Sequence, residues 1–228
     1  MHFERLLTGR VLVGASLLLS LWLILLGHQN GDISDYFGEG RAGTIASILL
    51  LLLISFTCFK IHGRRPEHGA ARFVEPRRIW LIMSAGFLFL ALDDALKIHE
   101  NIDKLIHHVF DMVETAWSDR IDDLIIALYA ATGAAVLYVF RDELSRYRFL
   151  FAYLMAGFAV LSVTIILDLV TNGLTFLTWL SGTEDAAISW KILLGTLEEV
   201  SKLVAEAIFL AGFLQVLFLV SAEDEGGS

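Results

Sequence analysis

Long apolar runs alternate with short polar stretches along the whole chain of 228 residues. A helix needs roughly 20 mostly apolar residues to cross the ~30 Å hydrocarbon layer of a bilayer. Four runs of about that length carry no charged residue, and two more carry a few charges towards one end. The pattern predicts an all-α, polytopic membrane helix bundle with six transmembrane helices, at about residues 11–27, 42–60, 79–98, 122–140, 149–170 and 198–220.

Between the third and fourth predicted spans, apolar residues recur at helical spacing among histidines and acids over residues 99–116. This spacing predicts an amphipathic outer helix that lies against the bundle or the membrane surface. The chain contains no repeat and no linker long enough to divide it. We therefore expect one six-span membrane domain over residues 1–228.

Lysine and arginine set the predicted orientation, because cytoplasmic loops of membrane proteins carry an excess of them. The N-terminal segment and the second and fourth loops carry 2, 6 and 3 of these residues, whereas the alternating loops carry 1, 3 and 1. The N and C termini are therefore expected in the cytoplasm, with the protein in the inner membrane. No small-x-small cleavage site follows the first run, which favours a retained span over a signal peptide.

Composition narrows the classes of partner. Hydrophobic residues make up 56% of the chain and the net charge is −9, so there is no basic face for nucleic acid. The single cysteine, Cys58, lies inside an apolar run, which excludes a disulfide framework and a CxxC metal site. The expected partners are membrane lipid and other membrane subunits or further copies of the chain.

Acidic residues of two predicted spans fall at the same depth. Asp93 lies 14 residues beyond Ile79, and Glu206 lies 14 residues before Val220, so each is ~21 Å from the inner boundary. This layer is roughly 9 Å beneath the outer surface, given a hydrocarbon thickness of ~30 Å. Charges in hydrocarbon are costly and usually face a partner or a cavity. We expect Asp93 or Asp94, together with Glu206, to line one interior cavity close to Lys202, with Asp168 just above this layer.

The carboxylates and one histidine near this layer favour a divalent metal ion reached from the outer side. Oxygen-rich ligand sets suit Mg²⁺, Mn²⁺, Ca²⁺ or Fe, for catalysis or sensing. One straight helix cannot aim all the candidates of the third span at a single ion, so the site needs either two helix faces or a break after Lys97. The candidate ligands are Asp93, Asp94, His99, Glu100, Glu198 and Glu199.

The alternative is a structural ion-pair network in a non-catalytic subunit of a larger membrane complex. Glu198, Lys202 and Glu206 form an i, i+4, i+8 stripe on one helix face. The predicted buried polar network consists of Lys202, Glu206 and Asp168. This alternative explains Lys202 well, but it does not explain why the buried acids outnumber the buried bases. Excess buried carboxylates bind a cation, hold protons or meet water.

Two short segments carry a resemblance. Leu92–Glu100 contains an acidic pair followed by His-Glu at the end of a span, and Leu197–Lys202 contains a Glu-Glu pair. This arrangement resembles a group of uncharacterised bacterial multi-pass membrane proteins, and the resemblance implies no activity. A transporter is a further interpretation, but the charges lie off-centre and no repeat is present. No complete catalytic motif assigns an enzyme class.

Overall fold

The computed structural model of the protein describes residues 2–30, 33–37, 40–65, 75–111, 121–171 and 174–226. Within these ranges all regular structure is helical, which confirms the all-α prediction. A 3-10 turn, Ser145–Tyr147, precedes α8. The helices are α1 His2–Asn30, α2 Ser34–Phe37, α3 Ala42–Arg64, α4 Arg78–Leu96, α5 Ile98–Val109, α6 Ile121–Val139, α7 Arg141–Leu144, α8 Arg148–Thr171, α9 Leu174–Ser181 and α10 Glu184–Gly226.

The chain is a multi-pass membrane protein by the length and apolarity of its helices. Five helical segments in the described ranges are long and apolar enough to cross a bilayer. Helix α6 contributes a shorter apolar stretch, Leu124–Val139, at the edge of the bundle against α4 and α5. The five candidate spans are Gly9–Asn30, Ala42–Arg64, Arg78–Leu96, Arg141–Thr171 and Glu184–Glu223.

Helix α10 is the central element, and it packs against α8, α3, α1 and α9. Its 43 residues span about 64 Å, and it begins 14 residues before residue 198, where the sequence predicted the last span to start. The local sequence explains the early start. The Thr183 hydroxyl accepts a hydrogen bond from the Ala186 backbone N–H at 3.3 Å. Glu184 and Asp185 in the first turn favour the positive end of the helix dipole.

Glycine lets α8 and α10 approach closely. A Cβ built on Gly157 of α8 would lie 2.7 Å from Phe209 Cδ1 of α10. A Cβ on Gly212 of α10 would lie 2.8 Å from Tyr153 Cβ of α8. Neither position has room for a larger residue without a shift of its neighbour. Small residues at such crossings are typical of helix packing in membranes.

The packed interior on one side of α10 is largely aromatic. Phe209 and Phe213 make ring contacts with Phe87, Phe158 and Trp80, at centroid distances of 5.2–6.5 Å. Trp80 and Phe213 are almost completely buried. Large buried rings of this kind dominate core energetics. We call these five residues the aromatic block.

Helix α4 ends at a break. Lys97 adopts a left-handed conformation with φ 52° and ψ 50°, and α5 starts at the next residue. The sequence predicted an outer helix over residues 99–116, and the structure shows α5 as Ile98–Val109. Residues 112–116 of that prediction lie outside the described ranges. The break turns α5 onto α6 instead of continuing the line of α4.

Candidate functional site

A serine near the start of α3 joins two acidic side chains from other helices. The Ser47 hydroxyl lies 2.8 Å from Asp94 Oδ2 of α4 and 2.6 Å from Glu206 Oε1 of α10. Ser47 is fully buried. It stands five residues after the start of α3, and Asp94 stands two residues before the end of α4. Polar side chains of three helices, α3, α4 and α10, therefore meet near the start of α3 and the end of α4.

The Lys202 ammonium group joins these polar side chains. Its Nζ lies 2.8 Å from Asp94 Oδ2, the same oxygen that Ser47 contacts. Lys202 is one turn away from Glu206 on α10. Glu199 acts electrostatically on both Lys202 and Glu206. A Cβ built on Gly43 would lie 3.6 Å from Glu199 Oε2, so that carboxylate lies against the first turn of α3.

The residues that we call the polar core differ in exposure: Ser47, Asp94, Glu199, Lys202 and Glu206. The Lys202 side chain is 26% exposed and that of Asp94 is 14% exposed. Glu206 is 5% exposed, and its Oε2 has no hydrogen-bond partner in the part of the chain that the structure describes. The polar core is thus open at Lys202 and closed at Glu206.

The neighbouring acid, Asp93, faces a different partner. Its Oδ1 accepts a hydrogen bond from the His99 backbone N–H at 2.9 Å, and its Oδ2 lies 2.7 Å from His99 Nδ1. Asp93 is buried, although it belongs to the last turn of α4. The left-handed turn at Lys97 makes this contact possible, because it folds the first residues of α5 back over the end of α4. Asp93 therefore caps α5 and orients the His99 ring.

The remaining acids of α5 have basic partners on the same helix or at its start. Glu100 lies 3.6 Å from Lys97 Nζ and 3.3 Å from Lys104 Nζ. Asp103 Oδ1 lies 3.1 Å from His107 Nδ1. His107 is buried. The reason is that α5 turns the stripe of His99, Asp103 and His107 towards the bundle.

The structure divides the predicted site residues among several places. Asp94, Lys202 and Glu206 meet around Ser47, whereas Asp93 and His99 form a separate pair. Glu198 is half-buried on α10. Asp168 is half-buried in the last turn of α8, where its backbone carbonyl oxygen accepts a hydrogen bond from the Thr171 hydroxyl.

The fit of this donor set to a metal ion is incomplete. No group of three or more His, Cys, Asp or Glu residues in the described ranges is placed to hold a metal ion. In the polar core, the Lys202 ammonium lies against Asp94, a predicted ligand. Binding of a cation there would require a change in the position of Lys202.

A second buried ion pair lies at the opposite end of α3 and α4, where sequence analysis predicted none. Arg65 Nε donates to Glu143 Oε1 at 3.0 Å, and the exposed fractions are 8% for Arg65 and 2% for Glu143. Trp80 Nε1 and Arg146 Nε lie 3.4 Å and 3.3 Å from the same carboxylate. This pair ties the end of α3 to α7. Its residues stand in charged loop segments, where nothing in the sequence separates a buried charge from an exposed one.

Comparison with known proteins identifies a family whose function is unknown. A family model described as a domain of unknown function (DUF8692) matches residues 6–217, and the chain belongs to this family. No curated protein and no solved structure matches the chain.

Proposed function

We propose that this family member is a six-span protein of the inner membrane, with both termini in the cytoplasm and a cation site reached from the outer side. The sixth span in this proposal is α6, whose 19 residues have a length of about 28 Å. That length is close to the ~30 Å of the hydrocarbon layer. The alternating lysine and arginine counts of the loops support the orientation.

The imbalance of charge in the polar core carries the proposal. Three carboxylates, those of Asp94, Glu199 and Glu206, act on one ammonium, that of Lys202. If all three acids are ionised, these four groups together carry three negative charges and one positive charge among helices that pack in a bilayer. Removing an ion from water costs several kcal/mol even after relaxation, so an additional positive charge stabilises the cluster. A bound cation supplies that charge.

The oxygen donors favour a hard divalent ion. Carboxylate oxygens are the usual ligands of Mg²⁺, Ca²⁺ and Mn²⁺. Asp94 contacts Lys202 at the open end of the polar core, and we propose Asp94 and Glu199 as its donors, with Glu198 preceding Glu199 on α10. Asp93, which pairs with His99, precedes Asp94 on α4, and Glu100 follows on α5. A site of this kind serves sensing of the ion or catalysis with it.

A thermal-shift series tests the proposal. Ca²⁺, Mg²⁺, Mn²⁺ or Zn²⁺ is expected to raise the melting temperature of the purified protein, because a ligand that binds the folded state stabilises it by mass action. At a concentration 100 times Kd the gain is ~2.7 kcal/mol. EDTA should reverse the shift. Glu199→Gln should abolish it, whereas Glu184→Gln, an exposed acid at the start of the same helix, should retain it.

An absence of any shift with all four ions would contradict the cation site and favour a second candidate function, a structural subunit of a membrane complex. The contact of 2.8 Å between Lys202 and Asp94 favours this candidate, because it satisfies one acid without a ligand. Mass determination after mild detergent purification tests it. Other chains should then co-purify in fixed proportion.

A further inference from the structure

The contacts of the Ser47 hydroxyl determine how many protons this group and its two carboxyl partners share. Two short contacts radiate from its hydroxyl oxygen, to Asp94 Oδ2 at 2.8 Å and to Glu206 Oε1 at 2.6 Å. A serine hydroxyl carries one hydrogen, and an ionised carboxylate carries none. Two hydrogen bonds need two hydrogens, so one of the two carboxyl groups must supply the second.

The neighbours of each carboxyl decide which one holds the proton. Asp94 Oδ2 also lies 2.8 Å from the Lys202 ammonium, so this oxygen faces two donors and acts as an acceptor. Glu206 is 5% exposed, and its second oxygen has no hydrogen-bond partner among the described residues. A bare charged oxygen in that position costs far more than a bare carbonyl oxygen. The proton therefore belongs on Glu206.

We infer that Glu206 is a proton-binding site: it is held as a neutral carboxylic acid that donates to the Ser47 hydroxyl, which in turn donates to ionised Asp94. The ligand of this site is a proton, whether or not a divalent ion binds at the open end of the polar core. Protonation of Glu206 removes one negative charge from the polar core. Intramembrane acids that hold protons are a recurrent feature of proton relays in membrane proteins.

The surroundings of Glu206 allow exchange of the proton from one side. The groups that face it are Ser47 of α3, Asp94 of α4, and Lys202 and Glu199 of α10. All of these belong to the polar core, in which Lys202 is more exposed than Asp94, and Asp94 is more exposed than Ser47 and Glu206. Glu206 contacts Ser47, and Ser47 contacts Asp94, whose side chain is 14% exposed. The proposed route of exchange with water therefore runs through Ser47 and Asp94.

Infrared spectroscopy of the full chain in detergent or lipid tests the inference. A protonated carboxylic acid gives a carbonyl stretching band that ionised carboxylates lack. We expect this band at neutral pH in the wild type, with a shift on transfer to D₂O. Glu206→Gln should remove the band, and Glu184→Gln should leave it unchanged, because Glu184 is exposed.

Two further variants keep the test decisive. Ser47→Ala removes the hydrogen-bond acceptor of the carboxylic acid, so the band should shift in frequency rather than disappear. Glu206→Gln should melt close to the wild type, because an amide can also donate to Ser47, whereas Asp94→Asn should melt several degrees lower. A band that persists unchanged in Glu206→Gln overturns the inference. If that variant does not fold, a band that does not shift in Ser47→Ala overturns it equally.

Discussion

Lys202 is central to the stability of the polar core, because its ammonium group directly contacts an acid there. Its Nζ lies 2.8 Å from Asp94, and Glu206 and Glu199 act on it as well. A buried charge that loses its partner is strongly destabilising, whereas an exposed ion pair contributes little. The chain offers both cases, since Lys104 pairs with Glu100 with 65% of its side chain exposed.

We predict that Lys202→Met lowers the free energy of unfolding by ~3–5 kcal/mol in the absence of added divalent cations. The matched variant Lys104→Met should change it by less than ~1 kcal/mol. Equilibrium unfolding in mixed micelles measures both. Equal effects of the two substitutions would show that Lys202 does not hold the polar core together.

The charged residues of the polar core were predictable from the sequence, and its serine was not. Asp94, Lys202 and Glu206 interrupt apolar runs, and the cost of a charge in hydrocarbon makes such residues conspicuous. Ser47 resembles other serines of the spans, such as Ser20, whose hydroxyl donates to the Ser16 carbonyl oxygen at 2.9 Å. Serine hydroxyls satisfy themselves locally in helices, so only the packing of α3 against α4 and α10 distinguishes Ser47.

Close packing of α8 on α10 positions Glu206, since Phe209 lies one turn beyond it. We predict that Gly157→Ala destabilises the protein by ~1–3 kcal/mol, because the new Cβ forces the Phe209 ring to move. Gly133→Ala on α6 is the control, since its Cβ would meet nothing within 4 Å. Alanine replaces glycine in a helix at a gain of ~0.5–1 kcal/mol, so the control should be neutral or slightly stabilising.

Thermal unfolding of the two alanine variants, measured side by side, gives the comparison. If Gly157→Ala proves as stable as Gly133→Ala, the close approach of α8 and α10 is wrong. In that case the position of Glu206 within the bundle must also be revised.

The long helices were predictable, and the start of α10 was not. The third span needed either two helix faces or a break after Lys97 for its candidate ligands to reach one ion, and the structure has a break there. The sequence has no glycine or proline at that break, because the residue with the left-handed conformation is Lys97. The start of α10 at Glu184 was missed, because residues 184–197 mix polar and apolar residues and resemble a loop by hydropathy.

At the scale of the whole molecule, the proposed topology predicts which loops reach each side of the membrane. Single cysteines introduced at Ser34 and Ser181 should react with an impermeant reagent from outside. A cysteine at Ala70, which lies outside the described residues, should react only from inside. The native Cys58 is fully buried and should give little background. Labelling of the Ala70 position in intact cells would overturn the orientation.

The most direct test of the cation site is elemental analysis of the purified protein after dialysis against a mixture of Ca²⁺, Mg²⁺, Mn²⁺ and Zn²⁺. The carboxylate excess of the polar core predicts about one divalent ion per chain in the wild type. The double variant Asp94→Asn with Glu199→Gln should lose that ion and remain folded. A wild type that retains no more metal than the double variant would contradict the account.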